Sequence, residues 1–284
     1  MRDEEDILEA TLDYHLARGV DFVVATDNLS TDGTPDILER YRRAGVLHVI
    51  REPRDDYAQG RWVTRMARLA AETFGADWVI NGDADEFWWP AHGSLKTCLA
   101  AVPPHYGVVE APRNNFVADP SRTGPFHHRL VLRETASCNP LGEPLPPKVC
   151  HRGDPQVVVA QGNHVATGPD LGAVLDGAGL SVLHFPVRSF AQFENKIVLG
   201  GRAYARNAEL PAAIGHVWRT LYHTQQAGRL REAYDRLAPD ACALARGLAA
   251  GTLVVDTRLR QFLDDLPRDQ APPTVRPARS AGPA

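Results

Sequence analysis

The 284-residue chain has no paired cysteine framework. Its four cysteines, Cys98, Cys138, Cys150 and Cys242, contain no Cys-x-x-Cys pair, so neither a disulfide scaffold nor a ribbon-type zinc site is expected. Cys150-His151 fits no zinc spacing either, and buried free thiols in a reducing compartment are the expectation. A basic surplus is also missing. Lys and Arg number 31 against 35 Asp and Glu, a net charge of −4 that argues against a nucleic-acid partner. No apolar run approaches the ~20 residues of a membrane-spanning helix. The opening Met1-Arg2-Asp3-Glu4-Glu5-Asp6 lacks the apolar core of a signal peptide. These absences point to a cytoplasmic protein, free or peripheral at the inner membrane face. What remains is a globular composition, 44% hydrophobic and 23% charged, sufficient for one large domain and an appendage.

Within that composition the first 90 residues alternate helix and strand signals. Residues 4–18 read as a helix, with Ile7, Leu8, Leu12, His15 and Leu16 near one face and Gly19 ending it. Val20–Thr26 reads as a short buried strand running into the polar loop Asp27-Asn28-Leu29-Ser30-Thr31-Asp32-Gly33-Thr34. Thr34 as cap and Pro35 in the first turn open a second helix. Residues 46–50 form a strand and 59–75 a helix, and Trp78-Val79-Ile80 is a third strand. Such alternation predicts an open α/β sheet, mostly parallel, whose ligands bind beyond the carboxyl ends of the strands. The middle, 103–170, is rich in Pro and Gly, with strand-like runs at 106–110, 128–132 and 156–160. Residues 180–185 form a further strand and 189–206 a helix, 207–266 read as a helical extension, and the proline-rich 267–284 as a disordered tail.

The third strand ends in Asn81-Gly82-Asp83-Ala84-Asp85-Glu86, three carboxylates in four residues, followed by Phe87, Trp88 and Trp89. Carboxylates are poor strand formers and are rarely buried without a partner. Asp-x-Asp is a two-oxygen clamp suited to Mg²⁺ or Mn²⁺, which in turn hold phosphates. Taken alone, such a cluster is more often a solvated turn. Its position beside the Asp27 loop, at a neighbouring strand end, favours a site. Trp88 and Trp89 suit either a sugar platform or core packing.

The order of these pieces resembles the family 2 type glycosyltransferases of the GT-A fold, more closely the bacterial branch related to the DUF23/family 92 enzymes. Four blocks spread over 1–205 carry the resemblance. They are the opening helix from Arg2 to Val20, the loop from Asp27 to Thr34, the block Asp83-Ala84-Asp85-Glu86-Phe87, and His184-Phe185 followed by Ser189, Phe193 and Lys196. The resemblance implies a GT-A domain over 1–206, Rossmann-like, that transfers a sugar from a nucleotide-diphosphate sugar to an unidentified acceptor, with inversion. It implies Mn²⁺ or Mg²⁺ held by Asp85, with Asp83 on metal or ribose and His184 as third ligand; His164 is a rival. Asp27 would meet the base or ribose, or else serve as a turn residue. Lys148, with Arg152 and Lys196, could meet diphosphate charge. Asp32 is read as a structural turn residue and Glu86 as a supporting one. No general base is assigned; Glu86, Glu110, Glu134 and Asp154 are the carboxylates at hand.

The resemblance implies a strand before the opening helix, and none precedes Arg2 here, so an upstream start is the favoured expectation, with a replaced strand or an impaired protein as the alternatives. Two other classes remain. A sugar-nucleotide nucleotidyltransferase would share the sheet and acidic site but carry a Gly-rich phosphate loop. A non-catalytic nucleotide-sugar-binding relative would share the fold alone.

Overall fold

In the computed structural model, which describes residues 1–211 and 213–267, helix and strand alternate from the start: α1 (Leu8–Ala17), β1 (Val23–Asp27), α2 (Thr34–Arg43), β2 (Leu47–Arg51), α3 (Gln59–Glu72) and β3 (Trp78–Ile80). β1 and β2 pair in parallel, from Val23 opposite Leu47 to Asp27 opposite Arg51. Leu8, Leu12 and Leu16 of α1 and Ile37, Leu38 and Tyr41 of α2 recur at helical spacing and close one core over Ala25 and Leu47. The cap of α2 differs from expectation. Thr34 is already helical, and its N–H donates to Asp32 Oδ1 at 2.9 Å, so Asp32 supplies the stop that Thr34 was expected to give.

The acidic block is the hinge between two strands rather than the end of one. After β3 the chain turns through Asn81–Asp85 and continues as β4 (Glu86–Pro90). Phe87 and Trp88 are fully buried, and Tyr14 Oη donates to the Trp88 carbonyl at 2.9 Å, so Trp88 is core. Trp89 stacks on Tyr14 under Arg18, again as packing.

The remaining elements are α4 (Leu95–Ala100), β5 (Tyr106–Ala111), β6 (Arg113–Val117), α5 (Phe126–Arg129), β7 (Leu132–Glu134), β8 (Lys148–Arg152), β9 (Val158–Val159), β10 (Ala166–Thr167), β11 (Ala173–Asp176), β12 (Leu180–His184), α6 (Phe190–Arg206), α7 (His216–Gln226), α8 (Leu230–Leu237), α9 (Ala241–Ala249), β13 (Leu253–Val255) and α10 (Arg258–Asp265). The expected strand at 128–132 is split between α5 and β7. Within 207–266 the chain is mostly helical, but β13 pairs antiparallel with β7. Most of the expected tail, 268–284, lies outside the described residues.

The sheet is mixed, not mostly parallel. Strand orders are β1-β2, β11-β5-β8-β3, β13-β7-β6-β12-β4 and β10-β9. β8 runs antiparallel to both β3 and β5, and β12 antiparallel to β4 but parallel to β6. A parallel neighbour needs a crossover of a dozen or more residues, usually a helix. Between β5 and β12 the only described helix is the four-residue α5, so the Pro- and Gly-rich middle returns largely as antiparallel strands. All four cysteines are free, as expected, but only Cys150 is buried.

Candidate functional site

The β3–β4 hinge sits among cations drawn from distant parts of the chain. Asp83 Oδ2 accepts from Lys148 Nζ at 2.8 Å, and its Oδ1 accepts from Gln59 Nε2 at 2.7 Å and Asn163 Nδ2 at 3.4 Å. Asp85 Oδ2 accepts from Lys196 Nζ at 2.6 Å, with Arg188 Nη1 at 3.9 Å. Glu86, wholly buried, lies 2.9 Å from Lys148 Nζ and 3.4 Å from Arg113 Nη1. Arg188, also buried, forks onto both oxygens of Asp6 at 2.7 and 2.8 Å and reaches Glu4 Oε2 at 2.6 Å. Asp83 and Glu86 thus meet Lys148 and Arg113, and Glu4, Asp6 and Asp85 meet Arg188 and Lys196, two adjoining sets of ion pairs in which carboxylates outnumber cations by one. Burial opposes ionisation of Asp85, yet Lys196 and Arg188 hold its carboxyl well below the ordinary range. Burial likewise opposes the charge of Lys196, and Asp85 and Glu4 hold its ammonium above the ordinary lysine value.

His184 closes β12 beside this corner because the register sets it between Glu86 of β4 and Asn115 of β6. Asn115 Nδ2 donates to Glu134 Oε2 at 3.1 Å and to the Cys138 carbonyl at 2.9 Å, which turns its Oδ1 to His184 Nδ1 at 2.8 Å. His184 Nδ1 therefore carries the proton, and Nε2 presents its lone pair 3.8 Å from Asp85 Oδ2. Burial pushes the His184 pKa well below the ordinary value, keeping the ring neutral. A neutral imidazole fixed through its far nitrogen, next to an ionised carboxylate, is a suitable donor pair for a divalent cation. Asp83 does not complete a three-donor set with them; among the described residues the three-donor grouping of this kind is His127, His128 and Asp264, elsewhere on the molecule.

The Asp27 loop is largely committed to structure. Asp27 is buried, accepting from the Ser30 N–H at 3.3 Å and from Arg51 Nη1 at 3.3 Å. Asp3 takes the Thr31 N–H at 2.7 Å, Ser30 Oγ takes the Asp3 N–H at 3.0 Å, and Thr34 Oγ1 takes the Glu4 N–H at 2.9 Å. The loop and residues 3–5 satisfy each other's orphaned backbone groups.

Other candidates fall outside the corner or have fixed duties. His164 Nδ1 lies 2.7 Å from the Pro147 carbonyl, and burial, then Lys148, press its pKa down to about 4. Arg152 bonds the carbonyls of Tyr106 and Val102 and lies over Trp78, a packing role. Of the carboxylates, Asp154 accepts from the Gln156 N–H, and Glu134 is held by Asn115.

Several residues of the corner carry no signal in the sequence. Arg188 and Arg113 are isolated cations, and Gln59, Asn115 and Asn163 are ordinary amides until the fold converges them. Tyr57, between β2 and α3, holds φ 50°, an uncommon value for a bulky residue. Its ring lies 4.7 Å from that of Tyr204 and 5.6 Å from Trp218, an aromatic wall shared by α6 and α7. Lys196 Nζ lies 5.8 Å from the Trp218 ring, which places that wall beside the acidic corner. Helix spacing alone would mark Tyr204 and Trp218 as core.

No family model and no curated protein matches the chain. Among solved structures, S. aureus TarS residues 1–349 in complex with UDP aligns with a TM-score of 0.41 at 16% identity, covering 80% of this chain and 70% of that one. TarS 1–349 without a named ligand gives 0.40 at 15%, covering 79% and 70%. The complex with UDP-GlcNAc gives 0.39 at 14%, covering 82% and 77%.

Proposed function

We propose that the chain is a metal-assisted glycosyltransferase that moves a sugar from a nucleotide-diphosphate sugar to an acceptor hydroxyl. The observation that carries this reading is the corner itself: Asp83 and Asp85, in the hinge between β3 and β4, each hold a lysine ammonium within 2.8 Å. Breaking the bond between a sugar and a diphosphate builds negative charge on the departing oxygens, and preorganised cations stabilise it. Lys148 and Lys196 are two such cations, already ordered. Asp85 and His184 are the residues that would hold Mn²⁺ or Mg²⁺, and a bound cation would supply further charge neutralisation to the leaving diphosphate. Asp83, tied to Lys148 and Gln59, would orient Lys148 or meet the ribose. The aromatic wall of Tyr57, Tyr204 and Trp218 suits a base or sugar ring. Inversion follows the family 2 resemblance.

The reading is tested by incubating the protein with nucleotide sugars and Mn²⁺ and measuring release of nucleoside diphosphate. Release by the wild type, lost in a folded Asp85→Ala variant, is the expected result. Turnover undiminished in that variant, or no release from any donor, would sink the proposal.

A further inference from the structure

Helices α5 and α10 meet although 136 residues separate the side chains that join them. One aromatic core seats both. Phe126 and Leu130 anchor α5 there, and Leu259 anchors α10, with Phe262 and Leu263 packed beside it. Leu259, Phe262 and Leu263 recur at helical spacing, so one face of α10 is committed to that core. Asp264 is an exposed carboxylate on the same helix, and α5 brings His127 and His128 to it. Both imidazoles reach one oxygen: Asp264 Oδ1 lies 2.7 Å from His128 Nε2 and 3.7 Å from His127 Nε2. The His127 ring stands edge-on to buried Phe126, centroids 5.2 Å apart, which helps to fix its direction. The second carboxylate oxygen, Oδ2, lies 4.0 Å from Arg260 Nε.

A surface ion pair needs one imidazole and one carboxylate, and contributes little. Here two imidazoles converge on one oxygen. Charged, the two rings would repel each other; neutral, each offers a ring lone pair. One donor atom from each of the three side chains lies within 4.8 Å of the others. Zn²⁺ holds imidazole nitrogen and carboxylate oxygen at about 2.1 Å, so the corners of its tetrahedron stand about 3.4 Å apart. The separations of 2.7 and 3.7 Å fall on either side of that spacing.

We propose that His127 Nε2, His128 Nε2 and Asp264 Oδ1 form a site for a divalent transition-metal ion, Zn²⁺ above all, that clips α10 to α5. Two imidazoles and a carboxylate suit Zn²⁺, Ni²⁺ or Cu²⁺, whereas Mg²⁺ prefers oxygen donors and keeps its waters. At 2.7 Å, His128 Nε2 donates to Asp264 when no cation is present, and the arriving cation displaces that proton to solvent. Three protein ligands leave the fourth tetrahedral position to water. None of the three belongs to the acidic corner, so the site is independent of Asp85 and His184.

The test uses the whole chain, stripped of metal by a chelator, in a His184→Ala background that removes the imidazole of the acidic corner. Zn²⁺ alone is titrated by calorimetry into this parent, into the parent with His127→Gln and His128→Gln, and into the parent with Asp264→Asn. The parent should bind one Zn²⁺ per chain, and the double histidine change should weaken binding by about a hundredfold or more, beyond what losing a supporting partner costs. Asp264→Asn should weaken it by about tenfold or more. The metal-free proteins should melt alike, since only exposed pairs are removed. Zn²⁺ should also slow amide exchange at Leu263 and Asp264 in the parent and not in the double variant. No binding to the parent, or equal affinity in parent and double variant, overturns the site. Binding that leaves exchange in α10 unchanged overturns the clip.

Discussion

Lys196 Nζ and Asp85 Oδ2 lie 2.6 Å apart, joining α6 to the turn between β3 and β4. Asp85 is 2% exposed, and Arg188 and His184 face the same oxygen. A buried carboxylate so surrounded cannot be removed cheaply, because its loss leaves cations without a partner. Asp85→Asn is expected to destabilise the fold by about 3 kcal/mol, the lower end for breaking a buried ion pair. Urea denaturation checks it, and a change below about 1 kcal/mol, the range of exposed pairs, contradicts the burial argument.

Arg188 tests the same network from the other side. Its guanidinium forks onto Asp6 and also reaches Glu4 and the Phe185 carbonyl. A lysine presents one point charge where the planar fork made several bonds. Arg188→Lys should cost about 2 kcal/mol or more, and should loosen residues 3–6, seen as faster exchange of the Thr31 and Gly33 amides that Asp3 and Glu5 now hold. Unchanged stability and exchange would show that the N-terminal segment is held by other contacts.

Stability should fall in mild acid through His15. Burial lowers its pKa from 6.5 to about 4, with Nδ1 donating to the Thr11 carbonyl and Nε2 accepting the Trp88 N–H. The folded state binds this proton more weakly than the unfolded state. The contribution is thus intact above pH 6.5 and is lost as pH falls from 6.5 towards 4. The loss is about 2 kcal/mol, discounted from the full shift because His15 is only half-buried. Melting from pH 7.5 to 4.5 should show a steeper decline for the wild type than for His15→Gln; parallel curves contradict the assignment.

His184 separates metal binding from nucleotide binding. With its proton fixed on Nδ1 by Asn115, its Nε2 faces Asp85. His184→Ala is expected to abolish the extra thermal shift that Mn²⁺ adds to a nucleoside diphosphate, while the shift from the nucleotide alone persists through Lys148 and Lys196. Full Mn²⁺ enhancement in that variant would remove His184 from the site.

The sequence made legible what is local. The helices from α1 to α3, their intervening strands and the stop of β3 ahead of Asp83 and Asp85 follow from periodicity and turn chemistry, whereas the return of the chain as β4 directly after them does not. The pairing of β8 between β3 and β5, which delivers Lys148 to Asp83, joins residues 65 apart and leaves no periodic trace. Arg188 meets Asp6 across 182 residues for the same reason. The loop from Asp27 reads as a candidate ligand loop because it lies at a strand end, with Asp27 open between a ligand contact and a turn residue. In the fold those groups are largely spent on residues 3–5, which the sequence reads as part of the opening helix.

Calorimetric titration of UDP, GDP, ADP, CDP and dTDP with Mn²⁺, into the wild type and Asp85→Ala, addresses the acidic corner most directly. At least one nucleotide should bind the wild type with Kd below about 100 μM, roughly −5.5 kcal/mol, and at least tenfold more weakly to the folded variant. Binding of none of the five, or equal affinity for both proteins, would contradict a diphosphate site built on Asp85.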